Sequence, residues 1–528
     1  MTSSASPAIA SQRDIRRSRL WLFALLGIGA AVRLYLAWHT FLNPDEALHY
    51  FIGAQSSFSA AYKASLTTAH PPLMIFLLHQ WSLFGTSEFF LRLPFVLAGL
   101  LFCWVMFLWV RQIAGDHAAC FTLALCVFLP PMISLSAEVR QYSLLLLFCA
   151  ASLYWLELGV VKRSIAWIAA SAAALYLALF THYSALIFAA AAGVYGLLRL
   201  WQADTGRGVK ASWFAGQVGA LGIVAFLFGS QILPLRRSGV PSEIAGTWLS
   251  SSIFRSGHDH FFAFAGAKTV RLFRYFFSHG TIGILGLLLS LFGLVILFRR
   301  GKNALGVLLV LPFLITLAAA IDGAYPYGGT RHDVLLVMFA IPAIATGLDA
   351  LKFELLGIRW RGANIVLLAV GLIVCNAFPS PSGPTIRPRN QDRRLMFQAM
   401  DFLRAQTPRS PIITDHQGGL MLSYYLCDKS SPLPFGQTSN RLFKWQCGDF
   451  VVLTSMRTQQ GFELPEVPEI IQQAWLSASG AQSLWVFQTG WIEDKQQEWT
   501  TALRQLGCSR LRNFGPNIRI CELVRSDE

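Results

Sequence analysis

The chain has 528 residues, of which 54% are hydrophobic and only 13% charged, with a formal net charge of +15. A soluble protein of ordinary composition carries about twice that charged fraction, and with a mean hydropathy of +0.49 a soluble globular chain is excluded. The positive charge does not mark a nucleic-acid binder, because many of the lysines and arginines lie in short loops between apolar runs, as cytoplasmic loops of membrane proteins do.

The amino-terminal tail carries Arg13, Arg16, Arg17 and Arg19 and reads as cytoplasmic. The apolar run from Leu20 to about Leu42 lacks a convincing small-x-small cleavage site and reads as an uncleaved first transmembrane helix. Residues 43–86 are mixed. Their two short amphipathic stretches, near 45–56 and 71–84, are too short to span and are expected to lie at the membrane interface. Ten further apolar runs follow: 88–110, 117–133, 141–161, 164–181, 183–200, 212–234, 279–298, 304–321, 334–350 and 362–378. Basic residues mark every second loop: Arg111; Lys162 and Arg163; Arg199 to Lys210; Arg299, Arg300 and Lys302; Lys352 to Arg361. Eleven spans with a cytoplasmic amino terminus put 39–87, 134–140, 181–183, 235–278, 322–333 and everything after 379 outside. Loop 235–278 disagrees, since it holds Arg236, Arg237, Arg255, Lys268, Arg271 and Arg274. Long loops determine topology weakly, so parity prevails, and those cations then need an anionic partner on the outer face.

SPSGP at 380–384 reads as a linker. Beyond it, helical patterns (DRRLMFQAMDFLRAQ, GLMLSYYL, QQEWTTALRQLG) alternate with strand patterns (PIITD, FVVLTS, SLWVFQT, IRICELV). The expectation is a transmembrane domain over 1–378, its outer loop 39–87 carrying interfacial helices, and a small extracytoplasmic α/β domain over 379–528. Cys103, Cys120, Cys126, Cys149 and Cys375 fall in apolar runs and read as packing residues. Cys427, Cys447, Cys508 and Cys521 lie in the tail, where an oxidising compartment permits disulfides. Cys508 ends a predicted helix and Cys521 lies in the next strand, while Cys427 and Cys447 flank a loop, so the expected pairs are 427–447 and 508–521. No CxxC and no metal-ligand spacing occurs.

Against this topology the polar residues gather. Asp45 and Glu46 follow span 1, and His70 lies in the same outer loop. Glu138, Arg140 and Tyr142 open span 4, His182 and Tyr183 form the turn between spans 5 and 6, and Asp322, Arg331, His332 and Asp333 lie between spans 9 and 10. Each has a plain structural reading alone, as an acidic loop, a helix cap or a snorkelling anchor. Their assembly on one face, with both signs of charge, points to a site.

Five phrases carry a resemblance: NPDEALHY from 43, HPPLMIFLLHQWSLFGTSEFFLRLP from 70, SAEVRQYSLLLLF from 136, LALFTHYSAL from 177 and YPYGGTRHDVLLV from 325. On them the chain resembles the polyprenyl-phosphate-sugar glycosyltransferases of the GT-C superfamily. More narrowly, it is similar to bacterial relatives of the protein O-mannosyltransferases (glycosyltransferase family 39) and of the lipid A aminoarabinose transferase. The phrases come in the family's order over about residues 33–345. Two departures bear on the acceptor. The protein mannosyltransferases continue HPPLGK where this chain has Met74 and Ile75, and the aminoarabinose transferase has lysine at the position of His70.

The resemblance implies a GT-C membrane fold in the bacterial inner membrane, a polyprenyl-phosphate-linked sugar as donor, and an envelope glycan, glycolipid or protein as acceptor. The chemistry points the same way. A sugar on polyprenyl phosphate has a good leaving group, so the enzyme needs a carboxylate to take the acceptor's proton and cations to hold the departing phosphate. Asp45 is the expected base, with Glu46 positioning neighbours or holding a metal. Arg140 and Arg331 are the expected phosphate clamps, assisted by His70, and Glu138 orients Arg140 or binds a metal. Tyr142, His182 and Tyr183 are placed around donor lipid or sugar. A single displacement implies inversion. Asp45, Glu46, Glu138 and His70 could gather a divalent cation, although their spacing shows no motif. The alternative class is a transporter or lipid flippase, which would put its charges at mid-membrane. Here only Arg33 approaches that position, and it lies in the outer half of span 1. A third class, a sensor whose tail binds a ligand, would need one anchor helix rather than eleven.

Overall fold

The computed structural model describes residues 7–237, 246, 249–351, 354–355, 358–359, 362–379, 391–406, 409–435, 442–456, 467–490 and 496–525; of 7–19, 354–355, 358–359 and 496–499 it describes the backbone alone. The expected linker 380–384, most of 238–248 and most of the basic loop 352–361 lie outside the described residues.

The protein is mostly helical and integral to the membrane. Among the described residues, eight helices are long and apolar enough to cross a bilayer: Leu20–His39, Glu88–Ala114, Tyr142–Val161, Ala185–Gln202, Arg207–Arg237, Gly280–Arg299, Asn303–Ile321 and Arg331–Ala350. The run 117–133 is helical too, but broken. We label the first helices α1 (Pro7–His39), α2 (Pro44–Gly53), α3 (Phe58–Ser65), α4 (Leu73–Trp81), α5 (Glu88–Ala114), α6 (Asp116–Phe128), α7 (Pro130–Ser136), α8 (Tyr142–Val161), α9 (Ile165–Leu179), α10 (Ala185–Gln202) and α11 (Arg207–Leu227). Between α6 and α7 the axis bends by 56°, because Pro130 and Pro131 remove two backbone donors. The helices Ile165–Leu179 and Ala363–Ala377 are apolar but have 15 residues each, fewer than the roughly 20 that cross a bilayer without thinning it. Large apolar side chains such as Trp21, Val218, Leu221, Leu288, Val366 and Ile373 are exposed, as lipid-facing helix surfaces require.

The chain clusters into two compact units. One comprises 1–35, 69–74 and 92–385, and the other 36–68, 75–91 and 386–528. In the first unit Gly280–Arg299 packs closely against the helix Val334–Ala350. A Cβ on Gly293 would run into the carbonyl oxygen of Ala343, and one on Gly347 would lie 2.5 Å from that of Leu289. The two backbones therefore touch, as small residues permit in membrane helices. The stretch 134–140, expected as a loop on the outer face, is the last turn of α7 and a wholly buried bend into α8.

The second unit is built on a six-stranded sheet ordered β4-β5-β3-β6-β8-β7, with β3 (Ile412–Asp415), β4 (Leu442–Cys447), β5 (Phe450–Ser455), β6 (Ser483–Gln488), β7 (Cys508–Asn513) and β8 (Arg519–Val524); a two-residue hairpin, β1 (Glu354–Leu355) and β2 (Ile358–Arg359), precedes them in the chain. β3 pairs in parallel with β5 and β6, and antiparallel strands close both edges. One core joins Ile413, Leu453, Leu484, Val486 and Leu523 to Ile470, Ile471 and Ala474 of the helix Val467–Ser477. The amphipathic helix Arg393–Arg404 sets Phe402 edge-on to Trp485. Cys427 is bonded to Cys447 and Cys508 to Cys521, the pairs expected. The sequence reading omitted β4, β7 and the helix Val467–Ser477. β4 and β7 alternate only weakly because they are the two edge strands, with half or more of each strand at least partly exposed.

Candidate active site

In the first unit four sequence-distant segments meet. HPPL turns into α4, and the Leu73 amide donates to the Phe180 carbonyl at 3.0 Å, tying this loop to the end of α9. His70 then stacks on His182, with ring centroids 5.3 Å apart. His182 lies 5.5 Å from the Tyr142 ring and 6.5 Å from the His332 ring. The Arg140 guanidinium sits 5.6 Å from the centre of the Tyr142 ring. Glu138, Arg140, Tyr142 and His182 are all buried, and His70 and Arg331 are half-buried.

Burial, with the Arg140 charge adding to it, brings the His182 imidazole down to about 3. The ring is therefore neutral near pH 7. Its Nδ1 accepts from the Ser184 amide at 3.1 Å and meets the Ser184 hydroxyl at 2.8 Å. The network assigns the ring proton to Nε2, so His182 is a neutral donor. Glu138 Oε1 is 3.5 Å from the Ser134 hydroxyl. Tyr183 donates to Gln231 Oε1 at 3.2 Å, in the π-helical turn Phe228–Ile232 that ends α11.

Arg331 and His332 are displayed by a turn that Asp333 holds. Asp333 Oδ2 accepts from the amides of Gly329 and Thr330, at 3.0 and 2.9 Å, and from the Thr330 hydroxyl at 3.1 Å. The Tyr325 hydroxyl donates to the His332 carbonyl at 2.8 Å. Tyr275, from the helix Phe261–Phe277, is buried against the same cluster. Its phenol is pushed well above its ordinary value by burial, then by Tyr142 and Asp333, against the pull of Arg331. Tyr275 does not stand out in the sequence because the cations of 235–278 dominate that loop; the aromatic pattern FRYFF at 273–277 is its signal.

Asp45 and Glu46 belong to the second unit, on α2. Pro44 at its start and a capping box fix this helix: Asn43 Oδ1 accepts from the Glu46 amide at 3.0 Å, and Glu46 Oε2 from the Asn43 amide at 2.9 Å. The Glu46 carboxylate is buried and engaged in this cap, whereas Asp45 is half-buried. Eight of the ten residues of α2 are buried, so the helix is embedded in protein. Its neighbours come from the helix His416–Tyr425 and its surroundings: Tyr50 stands edge-on to Tyr424 at 5.3 Å, and the Leu42 amide donates to the Tyr425 hydroxyl at 2.7 Å. Tyr424 donates to the Thr86 carbonyl at 2.6 Å, and Arg393 pairs with Glu88 at 3.1 Å. Among the described residues, no group of three His, Cys, Asp or Glu side chains is placed to hold a metal ion.

Comparison with known proteins adds the following. The family model described as dolichyl-phosphate-mannose-protein mannosyltransferase matches residues 69–228. No curated protein matches the chain in sequence. ArnT from Cupriavidus metallidurans has a similar structure in two states. In the apo state the TM-score is 0.54 at 14% identity, and bound to undecaprenyl phosphate it is 0.52 at 15%; each covers 96% of this chain and 98% of the other. At these identities the likeness is one of fold. The oligosaccharyltransferase of Archaeoglobus fulgidus tethered to an acceptor peptide is matched over 77% of this chain and 63% of that one, under two thirds of its length, at 12% identity and a TM-score of 0.44. The matched segment contains His70, Glu138, Arg140, Tyr142, His182 and Tyr183; over it the chain is similar to the mannosyltransferase family, and in fold it is similar to ArnT, both likenesses supporting kinship with the GT-C glycosyltransferases.

Proposed function

We propose that the chain moves a hexosyl or pentosyl unit from a polyprenyl-phosphate donor to a hydroxyl of an envelope acceptor, with inversion, at the extracytoplasmic face of the bacterial inner membrane. The acceptor is a glycolipid, a lipopolysaccharide, another glycan or a protein. In this reading 1–378 is the catalytic transmembrane domain, the amino terminus is cytoplasmic, and 379–528 is extracytoplasmic. The observation that carries it is the convergence of His70, Tyr142 and His332 on His182, with Arg140 beside the Tyr142 ring and Arg331 next to His332 in its turn. Cations and neutral donors around aromatic faces suit a phosphate that carries a sugar and an isoprenoid chain.

Each residue then has a part. Arg140 and Arg331 bind the phosphate in substrate and transition state alike, with His70 assisting. His182 gives a hydrogen bond from Nε2 without adding charge. Tyr142 offers a face to the sugar or to the first isoprene, Glu138 orients Arg140, and Tyr183 lines the donor site beside His182. Asp45 takes the proton from the acceptor hydroxyl as the oxygen attacks the anomeric carbon, and the polyprenyl phosphate leaves with the bonding electrons. Glu46 secures α2 through its cap and so aims Asp45.

The test is transfer by the purified full-length chain, given a labelled polyprenyl-phosphate sugar and envelope extract. Label should appear on a macromolecular acceptor with the anomeric configuration inverted. Label that crosses liposomes unchanged in chemistry, with no transfer, would support a transporter instead.

A further inference from the structure

The bend between α6 and α7 poses an accounting problem. In an unbroken helix the carbonyls of Cys126 and Val127 would accept from the amides of residues 130 and 131. Both are proline and have no N–H. The carbonyl of Phe128 loses its donor as well, because the Met132 amide turns back to Leu129 at 2.9 Å. Three acceptors are thus orphaned inside a membrane protein, where each unpaired backbone group is costly.

Two side chains supply what is missing. Asn376 donates to the Phe128 carbonyl at 2.9 Å. Arg33 serves the other two, with Nη1 at 3.0 Å from Val127 O and Nη2 at 3.2 Å from Cys126 O. The rest of the Arg33 guanidinium is used on both sides of the bend. Nη1 also donates to Gly29 O at 3.1 Å, Nη2 to Met132 O at 3.4 Å, and Nε to Ser136 Oγ at 2.8 Å. All five of its N–H groups therefore have an oxygen acceptor, and the side chain is fully buried. Ser136 in turn closes on the Met132 and Ile133 carbonyls, at 2.6 and 3.0 Å. Glu138, Arg140 and Tyr142 follow within six residues.

We propose that Arg33 is a positioning residue for the donor site: its guanidinium replaces the two amide donors that Pro130 and Pro131 lack, and so fixes the bend from which Glu138, Arg140 and Tyr142 are presented. The role in donor binding rests on the glycosyl-transfer reading above; the role in the bend does not. A lysine cannot substitute, because an ammonium has three donors on one atom and no planar fork to reach both arms of the bend.

The experiment compares Arg33→Met, Arg33→Lys and the parent, each also carrying Pro130→Ala with Pro131→Ala. Thermal unfolding midpoints in detergent read the bend, and KM with kcat for a labelled polyprenyl-phosphate sugar reads positioning. With the prolines present, Arg33→Met and Arg33→Lys should lower the midpoint and raise KM about tenfold, an effect that a smaller folded fraction cannot produce. With alanines restoring both amides, the fall in midpoint caused by Arg33→Met should shrink by half or more. An equal fall in both backgrounds overturns the carbonyl-replacement role, and an unchanged KM with reduced kcat overturns the positioning role. If Arg33→Met fails to fold alone, recovery of folded protein in the alanine background supports the proposal, and continued failure overturns it. If the parent itself transfers no sugar, the glycosyl-transfer reading fails and the positioning role falls with it, while the midpoints still decide whether Arg33 replaces the lost donors.

Discussion

Replacing Asp45 with Asn keeps the shape of the side chain and removes only its basicity. As the proposed base, Asp45→Asn should fold normally and lose about 100-fold or more in turnover, with donor affinity unchanged; turnover within about threefold of the parent would sink the mechanism. Arg140→Ala should behave differently, raising KM as well as lowering kcat, because the phosphate is present before and during reaction. His182 makes a prediction in pH. An unfolded imidazole takes up its proton near 6.5, whereas the buried one does so only near 3. Between these values the unfolded chain holds the extra proton, so this contribution to stability is complete above pH 6.5 and is lost as pH falls toward 3, by at most about 1.4 kcal/mol per pH unit. His416, buried in the second unit and brought down to about 4, adds the same sign over a narrower window. Unfolding midpoints taken between about pH 7 and pH 4.5 should fall, and His182→Gln should flatten part of that slope. At this scale much was legible in the sequence, since a carboxylate or arginine beside an apolar run stands out. Tyr275 and the work of Arg33 were not, because a phenol among aromatics and one charge near mid-span acquire meaning only from what lies across from them.

Caps and cross-links decide the short elements. α2 depends on Asn43 and Glu46 for its first turn, so Asn43→Ala should cost about 1 kcal/mol and, by loosening the helix that carries Asp45, should lower kcat more than it raises KM in the transfer assay. Each disulfide of the second unit should contribute about 2–4 kcal/mol. Non-reducing peptide mapping should recover 427–447 and 508–521 as linked pairs, and reduction should lower the unfolding midpoint. Long apolar runs and the strands β3, β5, β6 and β8 were legible because burial imposes an unbroken or alternating apolar pattern. The broken run 117–133 read as one helix, since a hydropathy pattern carries no record of an angle. The two prolines were the signal, and only the carbonyl accounting around Cys126, Val127 and Phe128 gives the bend its cause.

For the whole molecule, alternation of basic loops predicts sidedness. Reporter fusions after Arg111, Lys162 and Arg299 should report cytoplasm, and a fusion after Pro379 should report the outside; a cytoplasmic tail would contradict the proposed face. The grouping of 36–68 and 75–91 with 386–528 in one compact unit could not be read from the chain, because composition divides it near 378 while packing ties Thr86 to Tyr424 and Glu88 to Arg393 across more than 300 positions. The glycine seam between Gly280–Arg299 and Val334–Ala350 has a consequence for traffic. Where the backbones touch at Gly293 and Gly347 no lipid chain can pass between the two helices, although the second begins at the Arg331–Asp333 turn; beside that contact Leu285, Leu288, Leu289, Ile344 and Leu348 line an apolar cavity of about 320 Å³. On the proposed reading, a lipid-borne donor enters where side chains, not backbones, separate the helices. Bolting the seam shut with an engineered cross-link should therefore leave turnover untouched, and a loss of turnover would show that it has to open.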